Sequence, residues 1–297
     1  MTTTPASPTK STRSKRVDEV LLTLPSLLWL AIFFFIPALI VILLGFKPAD
    51  SLGGVGSGWT LDNFRALADL QYRPIFWRTL WISSVTTVFC VGVALPVSFG
   101  MACSRSRWRQ VLLLLIIIPF WTNFLIRVFA WKSLLQADGL VSQLIDSMHL
   151  FDESPAMLYN SGAVLLIMVY TQLPFAILPL YAAAEKFDFT LLEAARDLGA
   201  SRLHAFFTVF IPNISRGLSA AALIVFVATI GMYVVPDIVG GVDSEMIGNK
   251  IVQRVQSDRN LPLASALASA MLFCVVVLML IARSSANRRS GLDAAEP

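Results

Sequence analysis

Of 297 residues, 56% are hydrophobic and only 14% are charged, and the mean hydropathy is +0.72. A soluble domain carries roughly 25% charged residues, so this composition excludes a soluble globular enzyme and leaves one membrane domain of several spans. The net charge of +4 suits basic residues that flank spans on the cytoplasmic side, against membrane lipid, better than a nucleic-acid partner.

In chain order, residues 1–17 are rich in Ser, Thr, Pro, Lys and Arg and are expected to form a disordered tail. The basic string KSTRSKR precedes the first apolar run. That run, at about 25 residues, exceeds a signal-peptide core, and no small-residue cleavage site follows it, so it reads as an uncleaved first span. A span takes about 20 mostly apolar residues. Six stretches qualify: 21–46, 77–103, 110–134, 162–184, 217–239 and 261–282. They make one transmembrane domain over 18–285, with a tail at 286–297. Pro37, Pro96, Pro119, Pro174, Pro179 and Pro236 fall inside these stretches, and each is expected to remove a backbone hydrogen bond and bend its helix. Cys90, Cys103 and Cys274 lie in or beside apolar runs without paired spacing, as small core residues rather than a disulfide or metal framework.

With the N-terminus in the cytoplasm, 14 of the 23 Lys and Arg residues fall on inner segments and 11 of the 19 acidic residues fall outside. The short, purely basic RSRWR between the second and third stretches decides the orientation. Both termini and residues 185–212 are therefore expected inside, with 47–76, 135–161 and 240–260 outside. Trp29 and Trp108 read as interface anchors.

Between the fourth and fifth stretches runs EAARDLGASRLHAFFTVFIP, from Glu193 to Pro212. The preceding TLLE offers a capping box, in which Thr190 accepts from the Glu193 N–H and Glu193 reaches back to the Thr190 N–H. Gly199 reads as the left-handed cap of a helix of about eight residues, near 12 Å long. Ser201 caps a second helix that Pro212 is expected to stop. Leu191, Ala195 and Leu198 share one face of the first helix. A short turn would suffice to join two spans, so a helix–Gly–helix knob reads as a feature built to be gripped by another protein.

Glu193-Ala194-Ala195, Gly199 after three residues and Val209-Phe210-Ile211-Pro212 after nine more resemble the EAA loop of ABC importer permease subunits. Val209 and Ile211 stand where that family usually has Ile and Leu. The resemblance implies an all-α integral membrane, MetI-like fold of six transmembrane helices with a cytoplasmic EAA coupling loop at 185–212. It implies that Glu193, Ala194, Ala195, Gly199, Ala200, Ser201 and Pro212 form an ATPase-coupling surface, Glu193 having the alternative of serving only its capping box. It implies as partners two copies of a cytoplasmic ABC ATPase, a second permease subunit, favoured to be a paralogue, and an external substrate-binding protein, in a bacterial inner membrane with no cofactor. PFWTNFLIRVFAWKSLL (119–135), YVVPDIVGG (233–241), MIGNKIVQ (246–253) and GWTLDNF (58–64) further resemble permeases of the spermidine/putrescine group, over about residues 20 to 285. Opine-, phosphonate- or amino-acid-like solutes remain the alternative cargo within that resemblance.

Polyamines are flexible cations, for which carboxylates, aromatic faces and carbonyls are the suitable partners. Candidates for a substrate path are Asp237 and Tyr233 in the fifth stretch, Trp121 and Asn123 in the third, and Tyr170 and Gln172 in the fourth. Arg127 lies four residues after Asn123, hence on the same face. It either pairs with a carboxylate such as Asp237 or Asp138, or lines a path that would suit an anion. The sequence holds no GxxxxGK[ST], so energy would come from a partner ATPase. It holds no HExxH, no GxSxG and only two histidines, His149 and His204, which leaves no catalytic or metal candidates. A channel or secondary transporter acting alone is the competing class. The knob and the absence of an acidic proton relay speak against it.

Overall fold

The computed structural model describes residues 23–50, 54–147 and 157–293; the tail expected at 1–17 lies outside them. The described residues are helical with no named strand. Four helices are long and apolar enough to cross a bilayer: α1 (Thr23–Gly45), α3 (Arg73–Cys103), α7 (Ser161–Ala184), and the stretch Leu261–Ile281 of α13 (Leu261–Asp293). The short α2 (Asp62–Ala66) stands between the first two. Two bent pairs make up to six spans if each counts as one. Ser106–Trp121, which contains α4 (Ser106–Ile117), meets Phe124–Leu144 at 92°; the latter holds α5 (Phe124–Leu135) and the start of α6 (Leu140–Ser147). The second pair, Arg202–Asn213 and Ser215–Ile230, meets at 74°.

Two of the expected spans are therefore broken. The stretch 110–134 is apolar enough to run on, yet the chain tightens to a 3₁₀ turn at Ile118–Trp121 around Pro119 and becomes extended at Thr122. Asn123 then caps α5, its side chain accepting from the Leu125 N–H at 2.8 Å. A proline followed by a good N-cap outweighs continuous hydropathy here. The stretch 217–239 divides likewise into α10 (Ser215–Ile230) and α11 (Val234–Val239), separated at Gly231. Pro236 sits in the first turn of α11, where a missing N–H is harmless. Other prolines do not end their helices. α3 continues through Pro96 and α7 through Pro174 and Pro179, while a widened π turn at Ala31–Phe35 precedes Pro37 in α1.

At the centre, α7 packs on α3 and α10. Lipid tails are as apolar as leucine, so burial alone does not hold such helices together; close van der Waals approach through small residues does. Ala94 of α3, Ala176 and Ala184 of α7 and Ala221 of α10 are fully buried at these contacts. The tightest is at Gly217, where an added Cβ would stand 2.3 Å from the Ala183 Cβ. The buried hydroxyls of Thr171 and Thr229 are satisfied within their own helices, by the Ile167 carbonyl at 2.9 Å and the Val225 carbonyl at 2.6 Å. α1 lies to one side against α13, where a Cβ on Gly45 would come 3.2 Å from the Ala266 backbone.

Overpacking at Gly217 costs about 1–3 kcal/mol. Gly217→Ala should lower the thermal midpoint of the detergent-purified protein, whereas Gly100→Ala, which meets nothing within 4 Å, should stay within about 0.5 kcal/mol of wild type. Equal midpoints for the two would contradict the close α7–α10 packing.

Candidate functional site

The knob forms from α8 (Thr190–Asp197) and α9 (Arg202–Asn213). Its first cap is not the expected box. Thr190 already lies inside the helix, and Asp188 Oδ1 accepts from the Thr190 N–H at 3.0 Å and its hydroxyl at 2.8 Å. An Asx turn two residues earlier in the chain has displaced the Thr–Glu box. The Glu193 side chain is thereby exposed and, among the described residues, its carboxylate has no hydrogen-bond partner, in the first turn where the helix dipole favours its charge. It does not serve a capping box.

The turn itself is tightly specified. Gly199 has φ +94°. Its N–H donates to the Arg196 carbonyl at 2.9 Å, and the Ala200 N–H donates to the Ala195 carbonyl at 3.0 Å, the paired bonds of a Schellman motif. Ser201 then caps α9, its hydroxyl accepting from the His204 N–H at 3.2 Å. α9 does not stop at Pro212. A π turn at Phe206–Phe210 leads into Ile211–Asn213, and the widened turn accommodates a proline that a regular helix would reject.

Below the turn, Phe99 of α3 meets Phe210 at 4.9 Å and Phe206 at 5.2 Å between ring centroids, and Phe187 meets Phe210 at 5.1 Å and Phe189 at 5.3 Å, all edge-on. Edge-to-face pairs contribute about 0.5–1.5 kcal/mol each beyond burial. Beside them Arg109 at the start of α4 bonds Glu185 at 2.7 Å and the Ala102 carbonyl at 3.1 Å. Above the turn, Leu198 is 90% and Leu203 72% exposed. A shallow cleft of about 610 Å³ runs beside them, lined by Glu193, Arg196, Asp197, Ala200, Ser201 and Arg202. Apolar tips inside a charged rim are the chemistry of a protein-docking surface.

A cavity of about 630 Å³ lies at the other end of α3, lined by Asp237, Glu245, Asn249, Gln253, Gln256 and Tyr159 among others. α11 presents Asp237, and α12 (Ile247–Gln256) presents the amides. Thr79 of α3 accepts from the Ile247 N–H at 2.9 Å, and the Asn249 amide donates to the Tyr233 carbonyl at 3.0 Å, which fixes α12 against α3 and α11. Gly241 lets the chain pass Tyr159, whose carbonyl oxygen would stand 2.3 Å from any Cβ there. Glu245 is ion-paired with Lys250 at 2.7 Å, while Asp237 is exposed and has no ion-pair partner among the described residues.

Of the six path candidates, Asp237 alone lines this cavity; Tyr233 contributes its backbone beside it. Trp121 is 81% exposed at the α4–α5 break, Asn123 is occupied as a cap, the Tyr170 ring packs on Trp131 at 5.3 Å, and Gln172 is buried in α7. Arg127 makes neither expected ion pair. Its guanidinium lies over the Phe120 ring at 4.5 Å, with Nε and Nη1 buried and without a hydrogen-bond acceptor. Glu245, Gln253, Gln256 and Tyr159 were not candidates from the sequence, although Glu245, Asn249, Gln253 and Gln256 recur at helical spacing.

Over residues 12–290 the chain matches the family described as binding-protein-dependent transport system inner membrane component. The chain belongs to this family. It is a multi-pass membrane transport component with an all-helical fold. The spermidine/putrescine transport system permease protein PotB of Haemophilus influenzae is 34% identical over 268 residues, covering 89% of this chain and 94% of that one. PotB of Escherichia coli is 35% identical over 260 residues, with 88% and 94% covered. Among solved structures, a bacterial ABC transporter that imports the acidic polysaccharide alginate shares the fold, at a TM-score of 0.75 and 16% identity over 94% of this chain and 99% of that one.

At Gly199 the space is open, with nothing within 4 Å of an added Cβ, so only backbone strain opposes a side chain, at roughly 1–2 kcal/mol for a left-handed residue. Gly199→Val should insert at normal levels and lose transport; Gly199→Asn, which tolerates positive φ, should lose less. Transport by Gly199→Val at the wild-type rate would make the turn an indifferent surface loop.

Proposed function

We propose that this family member is the permease subunit of an ATP-driven importer that moves polyamines inward. The pair Ser106–Trp121 and Phe124–Leu144 counts as one span and α10 with α11 as another, giving six, while Arg202–Asn213 belongs to the knob. Both termini and the knob lie in the cytoplasm, where one of two ATPase copies grips the knob through Leu198 and the charged rim, with Glu193, Ala194, Ala195, Gly199, Ala200, Ser201 and Pro212 as the EAA coupling loop. A second permease subunit, a paralogue, completes the pore, and a binding protein delivers cargo to the outer face, which carries the Asp237 cavity. ATP is hydrolysed by the partner ATPase and not by this chain. The basic bias of the loops at the knob end supports this orientation, and the names of the PotB relatives support the cargo.

One observation carries the substrate reading: Asp237, a carboxylate with no ion-pair partner among the described residues, faces a cavity whose lining holds a second carboxylate, Glu245, and no Lys or Arg. Such a surface suits an ammonium and repels an anion. Arg127 does not argue for an anionic solute, because it is stacked on Phe120 and is not among the residues lining this cavity. A hydrogen bond to a charged group contributes about 1.5–3 kcal/mol, and an amide recovers part of it. Asp237→Asn should therefore cut putrescine uptake by at least about fivefold with the complex intact, and Asp237→Glu should cut it less. Unchanged uptake by Asp237→Asn would remove this cavity from the path.

A further inference from the structure

The cavity already holds an ammonium group next to it, supplied by the protein. Lys250 is 14% exposed, its Nζ 2.7 Å from Glu245 Oε2 and 3.0 Å from Gln253 Oε1. Glu245 and Gln253 both line the cavity that Asp237 faces. A primary ammonium on a four-carbon stem, held by a carboxylate and an amide oxygen, has the same chemistry as one end of a diammonium ion such as putrescine. Only Asp237, at the same cavity, is left without a cation.

We infer that Glu245 and Gln253 form a second ammonium subsite, which Lys250 fills when no substrate is present and which the far end of a diammonium substrate takes by displacing it. This inference rests on the polyamine reading and adds the regulation of that site. Exchange of one ammonium for another leaves the charge at Glu245 balanced throughout, so the carboxylate is at no stage left partly desolvated and unpaired. A monoammonium ion bound at Asp237 has no second charge with which to displace the lysine. The tethered cation thus keeps single cations out of the Glu245 subsite and competes there with the second charged end of a diammonium ion. Its tether gives it a high effective concentration; if it is seated about nine-tenths of the time, it weakens putrescine binding by about tenfold.

The test is binding of radiolabelled putrescine and of butylammonium to the detergent-solubilised importer without its binding protein. Lys250→Met should tighten putrescine binding about tenfold, leave butylammonium binding at Asp237 nearly unchanged, and so widen the preference for putrescine over butylammonium. The double variant Glu245→Gln with Lys250→Met should lose that gain. Lys250→Arg, whose guanidinium holds a carboxylate through two parallel bonds, should bind putrescine more weakly than wild type, and it carries the test by itself should Lys250→Met fail to assemble. Putrescine binding by Lys250→Met or Lys250→Arg that equals wild type overturns the lysine's role while leaving the polyamine reading standing. Absence of putrescine binding from wild type and every variant overturns both.

Discussion

The arrangement depends on a knot of phenylalanine rings at one end of the bundle. Phe99 belongs to α3, Phe187 and Phe189 to the link after α7, and Phe206 and Phe210 to α9. Edge-on contacts fix the relative angles of rings as well as their distance, so the knot sets the direction in which the Gly199 turn projects. The Arg109–Glu185 ion pair borders it and, partly exposed, adds little energy of its own. With the underside so held, Leu198 and Leu203 can remain in solvent without the turn collapsing to bury them.

The other half of the structure follows from how helices adhere in lipid. Alanine contacts among α3, α7 and α10 bring three long helices close enough to move as packed bodies. α3, 31 residues long, spans about 46 Å at 1.5 Å per residue. Near its first turns it touches the cavity's frame, through Thr79 to the Ile247 N–H and Arg78 to the Val242 carbonyl, and near its last turns it enters the phenylalanine knot. The two proposed working surfaces are thus joined by one continuous helix, which runs on through Pro96.

Much of the knob was legible in the sequence, because its signals are local. Gly199 had to take a positive φ to close one helix and free Ser201 to open the next, and both do so. The first cap was misread because Asp188, two residues upstream of Thr190, competes for the same N–H, and short-range pattern alone does not rank the two. The breaks at Thr122–Asn123 and Gly231 were hidden by hydropathy, which averages over a window wider than the two or three residues that turn the chain. The cavity was hardest to foresee. Tyr159, Asp237 and Gln256 come from separate segments, and only the docking of α12 on α3 brings their elements together. Arg127 was misjudged for a similar reason, since its nearest partner is a phenyl face seven residues back, across the start of a bend, rather than a carboxylate.

The central claim is that the exposed turn is a cytoplasmic docking surface for an ATPase. A single thiol at position 198, introduced as Leu198→Cys in a chain lacking Cys90, Cys103 and Cys274, tests it most directly with a membrane-impermeant maleimide on sealed vesicles of known orientation. The account predicts modification from the cytoplasmic side only, slowed when the ATPase is added back. Modification from the outer side, or a rate indifferent to the ATPase, would contradict it.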